Sequence, residues 1–276
     1  MILSSWHHAV LVQTDRWAFN TLEDALAHAK MRNSQAIRVV LDPMIEDVAD
    51  VGQLEASYQE HVRCLNVIRA NGLYASLALK LSALGMNFDE GLCRERLIAL
   101  ADEGLKRSIQ LEIDMEGKKW VDFTIDSVIA VADEGYRATL AVQAYLDRTP
   151  KDIAKLVKEG VTVRLVKGAY LGDTNDFDEI QRRMISISDG LLGKKRFCIG
   201  THDPVIIERL QSKAQSKKYL EFGFLMGLSD TTKYRLSTGE WNVVEYVPYG
   251  SDSSAYVKRR EIYLKRLKEL GKDPAP

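Results

Sequence analysis

Short runs rich in β-branched and aliphatic residues alternate along this chain with longer stretches whose apolar positions recur at helical spacing. The short runs predict strands at AIRVVLD (Ala36 to Asp42), YASLALK (Tyr74 to Lys80), SIQLEID (Ser108 to Asp114), ATLAVQA (Ala138 to Ala144), VTVRLVK (Val161 to Lys167), RFCIGTH (Arg196 to His202), YLEFGFL (Tyr219 to Leu225) and WNVVEYV (Trp241 to Val247). The amphipathic stretches predict helices over Leu54 to Ala70, Glu90 to Glu103, Phe123 to Glu134, Lys151 to Glu159, Asp176 to Leu192 and Pro204 to Ser216. Gly72, Gly104, Gly135 and Gly160 stand just beyond four of them, where a positive φ ends a helix. Ahead of Ala36 the pattern assigns no element.

Such strands, each followed by a helix, indicate an α/β protein with a parallel sheet covered by helices. An open doubly wound sheet would give the same periodicity, but eight strands joined by single helices favour a closed (β/α)8 barrel. No low-complexity linker or composition shift divides the chain. The reading is one barrel domain over residues 1–276, with only the tail GKDPAP (Gly271 to Pro276) expected to be disordered.

Barrel strands are buried on both faces, so a charged residue at a strand's C-terminal end is either solvated at the rim or aimed into the mouth, where barrels keep their chemistry. Lys80, Asp114, Gln143, Tyr145, Arg164, Lys167, Thr201, His202 and Tyr246 all fall at predicted strand ends. Their joint placement points to one site. Within VRLVKGAY, Lys167 fits an ordinary turn, a cofactor contact or a Schiff-base nucleophile, and the small residues after it allow backbone amides to approach a ligand. In YVPYGSDSSAYVKRREIYLKRLKEL, Tyr256, Arg259, Arg260 and Tyr263 share a helical neighbourhood. Adjacent arginines on a helix diverge by about 100°, yet two guanidinium forks can close on one carboxylate from either side. The same run also fits a solvated basic face continuing through Lys265, Arg266 and Lys268.

Charge narrows the partners. The 38 basic and 39 acidic residues nearly cancel, so no general positive field favours nucleic acid or an anionic membrane. Cys64, Cys93 and Cys198 lie far apart without metal-ligand spacing, which fits reduced thiols and no metal site. The N-terminal MILSSWHHAVLVQTDRW has no basic leader before its apolar run, and no stretch reaches the ~18 apolar residues of a span, so a cytoplasmic location is expected.

Seven motifs occur in a fixed order: LALKLSALG (Leu77 to Gly85), EIDME (Glu112 to Glu116), LAVQAYL (Leu140 to Leu146), VRLVKGAY (Val163 to Tyr170), IGTHDP (Ile199 to Pro204), EFGFLMGL (Glu221 to Leu228), and YVPYG with YVKRR (Tyr246 to Gly250, Tyr256 to Arg260). In this set and spacing the chain resembles the catalytic barrel of the proline dehydrogenases, from about the first strand to the last helix. The resemblance implies a monofunctional flavin enzyme: a barrel with non-covalent FAD across its mouth and a final helix over the substrate. It implies that proline, or a close cyclic amino acid, becomes 1-pyrroline-5-carboxylate by hydride transfer to flavin N5. By motif position, Gln143, Arg164, Val166, Lys167, Gly168, Ala169, Thr201 and His202 are implied flavin contacts. Lys80, Asp114, Tyr170, Leu225, Tyr246, Tyr256, Arg259 and Arg260 are the implied substrate pocket, with Lys80, Asp114, Arg164, Tyr246 and the Arg pair carrying catalysis. Asp114 is expected to orient a basic neighbour or the substrate rather than act as a lone general base. A quinone-type electron acceptor is implied as partner, and with it transient contact with a membrane, peripheral to the inner membrane, or with a product-oxidising dehydrogenase. That second enzyme would be another protein, since no aldehyde dehydrogenase domain is attached. Three positions depart from the family's pattern: Leu171 replaces an aromatic, Gly223 a glutamine and Tyr263 a glutamate. Gly223 is expected to widen the mouth, while the changes at Leu171 and Tyr263 bear on flavin contacts.

Overall fold

The computed structural model describes residues 16–251 and 253–276, so most of the N-terminal stretch read for a leader, and Asp252 of the SDSSA segment, lie outside it. Eight strands form a closed parallel barrel in sequence order: β1 (Arg38–Asp42), β2 (Ala75–Lys80), β3 (Leu111–Asp114), β4 (Ala138–Gln143), β5 (Thr162–Val166), β6 (Phe197–Gly200), β7 (Leu220–Leu225) and β8 (Asn242–Pro248), which pairs back onto β1. Every predicted strand is present, and most are trimmed at an end. Lys167, Thr201 and His202 lie just past their strands, in the loops of the mouth.

Around the barrel run α1 (Leu22–Ser34), α2 (Val51–Ala70), α3 (Glu90–Arg107), α4 (Val121–Asp133), α5 (Thr149–Lys158), α6 (Phe177–Leu191), α7 (Pro204–Lys213) and α8 (Asp230–Thr238), and α9 (Ser254–Glu269) follows β8. Two of these, α1 and α8, have no counterpart in the apolar pattern. The buried face of α8 is Thr232, Lys233, Leu236 and Ser237, and that of α1 is Leu22, Ala25, Ala29 and Arg32, so neither carries a broad stripe of large apolar residues. Gly104 is a second correction. It lies inside α3, where a Cβ would stand 2.8 Å from the Ile109 carbonyl oxygen, and the left-handed residue that ends the helix is Ser108 at φ 60°. The tail is a third, because it is docked rather than free. The Ala275 amide donates to the His202 carbonyl at 2.7 Å, the Pro276 carbonyl accepts from the Thr232 amide, and Lys272 pairs with Asp178.

The strands divide their residues by face. Outward positions such as Val39, Leu41, Leu77, Leu79, Ile113, Leu140, Leu165, Ile199 and Phe222 are fully buried against the helices in one continuous apolar core. Each such side chain contributes about 1.5–3 kcal/mol relative to exposure. Most inward positions are small, polar or valine. Val40, Ala78, Cys198 and Val244 form a separate inner cluster beneath Tyr246. Below them Arg38 donates to both oxygens of Glu221 and, with Ser76, to Glu112 Oε1.

One charged residue breaks the outward rule. Glu245 on β8 is fully buried and accepts from Arg32 at 2.7 Å, meets His28 at 2.6 Å and pairs with Lys233, which is also fully buried. These contacts knit α1 and α8 to β8. Burial alone would raise the Glu245 carboxyl, but the His28 hydrogen bond and the charges of Lys233 and Arg32 outweigh it and hold the group well below the ordinary 4.5. The contribution is therefore complete above the unfolded chain's pKa and is lost as pH falls through the folded value. Glu245→Gln should cost about 3–5 kcal/mol at neutral pH, the usual penalty for stranding buried charges. Urea titrations between neutral pH and the acid limb should show that difference shrinking as pH drops; a constant difference would show that Glu245 is not ionised in the folded protein.

Candidate active site

The C-terminal ends of the strands open into a cavity of about 510 Å³, within the range of small-molecule sites. Its wall contains every residue expected at the site: Lys80, Asp114, Gln143, Arg164, Val166, Lys167, Gly168, Ala169, Tyr170, Thr201, His202, Leu225, Tyr246, Tyr256, Arg259 and Arg260. Strand register explains the convergence, since Lys80 pairs with Asp114, Gln143 with Val166 and Leu225 with Tyr246, all with the inward parity. Helix α9 supplies Tyr256, Arg259, Arg260, Ile262, Tyr263 and Arg266 to the same cavity, the one-face spacing read from the sequence.

Arg164 stands at the centre of the polar network. One guanidinium nitrogen donates to Glu112 Oε2 at 3.0 Å and another to Asp114 Oδ1, while Tyr246 donates its hydroxyl to Asp114 Oδ2 at 2.5 Å. Both oxygens of Asp114 thus accept a hydrogen bond from a neighbouring side chain. Burial opposes the Arg164 charge, but Asp114 and Glu112 overcome it and its pKa is raised. Burial and then Asp114 push the Tyr246 phenol well above 10, so it stays a protonated donor.

Lys80 lies 3.3 Å from Asp42 Oδ2. Desolvation would lower its pKa, but Asp42, then Asp114 and Glu46, raise it, which keeps it cationic and unsuited to Schiff-base chemistry. Lys167 differs. Burial dominates over Asp203 at 3.5 Å and lowers its pKa, and its ammonium faces the Phe177 ring at 4.9 Å and the Tyr263 ring at 5.9 Å. Tyr263 in turn stacks on Phe177. The departure at Tyr263 is therefore absorbed by an aromatic wall around Lys167, whereas Leu171 is 79% exposed and does not line the cavity. Gly223 does line it, beside Gly200 on the neighbouring strand, and a Cβ there would meet Cys198 Sγ at 3.0 Å.

His202 is more constrained than the sequence indicates. Its Nε2 accepts from the Leu225 amide at 3.1 Å, so Nδ1 carries the proton toward Ser229 Oγ at 2.8 Å. Burial, followed by the charges of Lys233, Arg260 and Lys167, pushes its pKa down to about 3. Both ring nitrogens are thus engaged within the protein.

Three buried polar atoms in the cavity wall have no hydrogen-bond partner among the described residues: Gln143 Oε1, Tyr256 Oη and Arg260 Nε. An acceptor on β4 and donors on α9 are what a flavin's ring N–H and a substrate carboxylate require, so the donor set fits both groups. Asp42, Glu46 and Glu112 were not singled out from the sequence. Asp42 ends its predicted strand just as Lys80 does, and Glu112 interrupts an apolar strand, so both carried a signal. Glu46, 3.4 Å from Arg259, sits in an irregular loop and carried none.

The site is thus a charged mouth on a closed parallel barrel, roofed by a basic helix. The sequence profile of the proline dehydrogenase family matches residues 25–182. Among curated relatives, proline dehydrogenase 2 of Bacillus subtilis is 28% identical over 252 residues, covering 87% of this chain and 82% of its own. The proline dehydrogenase of Deinococcus radiodurans is 27% identical over 264 residues, covering 88% and 83%. The fold is similar to that of Bdellovibrio bacteriovorus proline utilization A inactivated by N-propargylglycine, with TM-score 0.81 and 18% identity over 91% of this chain. This chain spans 32% of that protein's length. The chain belongs to the proline dehydrogenase family. It is an oxidoreductase, a flavin enzyme of proline oxidation. No helix among the described residues is long and apolar enough to cross a membrane.

Asp42 should be the main support of the Lys80 charge. In Asp42→Asn, NMR of ¹³C-methylated lysines should show the Lys80 pKa falling from its raised value, because burial then acts with less opposition. An unchanged titration would assign that role to Asp114 and Glu46.

Proposed function

We propose that the protein oxidises L-proline to 1-pyrroline-5-carboxylate with non-covalently bound FAD and passes the electrons to a quinone-type acceptor. The observation that carries this reading is the trio of unpartnered polar atoms in one cavity, with Gln143 Oε1 on the barrel side and Tyr256 Oη and Arg260 Nε on the helix side. Gln143, Arg164, Lys167, Gly168, Ala169 and Thr201 hold the flavin. The bound flavin supplies a two-electron acceptor: proline gives up a hydride from the ring carbon beside nitrogen and a proton from nitrogen, and the bond between them becomes double.

The remaining chemistry is positioning. Arg260, Arg259 and Lys80 bind the carboxylate through charge-assisted hydrogen bonds, and Glu46 holds Arg259 loosely enough, at 3.4–3.5 Å, to turn toward substrate. Asp114 orients its neighbours, with one oxygen on Arg164 and the other on Tyr246. It holds Tyr246 against the substrate ring. Leu225 and Tyr170 complete the wall.

Anaerobic mixing with proline should bleach the flavin, and denaturation should release it into the filtrate. Arg260→Met should keep its flavin while losing about 1.5–3 kcal/mol of transition-state binding, one charge-assisted contact. Protein reconstituted with FAD that holds no flavin would overturn the reading; unchanged kcat/KM in Arg260→Met would remove that residue from the site.

Tyr246 should also exclude a ring hydroxyl. Proline should be preferred over trans-4-hydroxyproline by about tenfold or more, the cost of desolvating an unpartnered hydroxyl. Tyr246→Ser should narrow that ratio in stopped-flow flavin reduction. Equal rates for both substrates in the wild type would show that Gly223 leaves room and that Tyr246 does not set ring choice.

A further inference from the structure

The loop between β5 and α6 carries Lys167, Ala169 and Tyr170 into the cavity, yet it buries little of its own. Leu171 is 79% exposed and Tyr170 37% exposed. An exposed loop with so few apolar anchors has no intrinsic reason to hold one shape. Its shape is imposed from the neighbouring strand end by Tyr145, itself buried at 3% exposure.

Tyr145 meets this loop along its whole length. Its amide donates to the Lys167 carbonyl at 3.2 Å, its hydroxyl accepts from the Tyr170 amide at 3.3 Å, and its carbonyl accepts from the Asp173 and Thr174 amides at 3.1 and 3.3 Å. The ring is held between two glycines. A Cβ on Gly168 would stand 1.6 Å from Tyr145 Cε1, and one on Gly172 would stand 2.2 Å from Cδ2. No other residue fits at either place while the ring is present. The backbone therefore winds round the phenol, and Ala169 and Tyr170 are presented from the arc between the two contacts.

We propose that Tyr145 is a positioning residue for substrate and flavin binding: the post around which the Lys167-to-Thr174 loop is shaped, with Gly168 and Gly172 as its two points of closest approach. The proposal rests on the function given above for that cavity, but part of its test needs no flavin. It assigns the loop's path to one residue, through its backbone bonds and the bulk of its ring, and it explains why a glycine stands at 172, where no positive φ demands one.

The test uses the full chain with FAD and proline, and four variants: Tyr145→Phe, Tyr145→Leu, Gly172→Ala, and Gly172→Ala with Tyr145→Ala. Hydrogen exchange at the Tyr170 amide, whose acceptor is the Tyr145 hydroxyl, should speed up by about tenfold or more in Tyr145→Leu. KM for proline should rise and kcat fall, by up to about 100-fold in kcat/KM, as displaced contacts degrade alignment. Tyr145→Phe keeps the ring and loses one hydrogen bond, so it should stay within about tenfold of wild type. Gly172→Ala should resemble Tyr145→Leu, and the double variant should recover relative to Gly172→Ala alone, because alanine at 145 removes the Cγ and Cδ2 that the new methyl would meet at 2.4 and 2.2 Å. A purely structural role would lower the melting temperature of Tyr145→Leu and leave loop exchange and KM unchanged, which would overturn the proposal. So would a double variant no better than Gly172→Ala. If Tyr145→Leu does not fold, Gly172→Ala decides, since unchanged exchange and KM there would show that the loop does not depend on its fit to the ring. Wild-type protein that neither holds FAD nor oxidises proline would defeat the functional reading alone, and the exchange measurements would still decide the role of Tyr145.

Discussion

The column of charge inside the barrel is the constraint on which the site depends. Glu221, Arg38, Glu112, Arg164 and Asp114 follow one another from the floor of the barrel to its mouth, each carboxylate held by at least one guanidinium. Charges taken this far from water are tolerable only when mutually satisfied, and removing one member strands its neighbours. Here that rule has a chemical use. Glu112 divides its oxygens between Arg38 and Arg164, so the orientation of Arg164 in the cavity is set partly by a residue at the opposite end of the barrel. The small inward residues Ala78, Cys198 and Gly223 leave room for these long side chains, which is why the barrel's inner layer is not filled with branched aliphatics.

The apolar core outside the barrel was legible because its pattern is strong. Strands such as YASLALK and VTVRLVK place large aliphatics on alternate outward positions, and the eight-strand count followed. The motif residues were legible because strand ends of one parity converge on one mouth. What was illegible shares a cause. Helix α8 buries a lysine and hydroxyls, and α1 buries alanines and an arginine, because both pack against Glu245 rather than against a purely aliphatic surface. A periodicity search weighted by hydrophobicity cannot see a face built around a carboxylate. The docked tail was missed for a similar reason: it is held mainly by backbone hydrogen bonds, which composition does not report.

The roof of the site follows a different economy from its floor. Helix α9 buries only Leu267 fully, and rests on the loop side through the Tyr263 and Phe177 stack and the Arg266 contact to the Asn175 carbonyl. The floor is rigid and ionically cross-braced, whereas the roof is lightly seated. Such a division suits a binding site that must admit a zwitterion and then surround it, since the groups that fix orientation need not move with those that close over the ligand.

Strand β8 carries the two tasks on adjacent residues, with Glu245 turned to the helices and Tyr246 turned to the cavity. Side chains on a strand alternate strictly, so a slip of one position would drive a carboxylate into the mouth and a phenol among Arg32 and Lys233. Neither place would satisfy its occupant. The ionic knot behind the sheet therefore acts as a key for the register of the strand that closes the barrel. A residue that never meets substrate thereby determines that Tyr246, and not a neighbour, arrives beside Asp114.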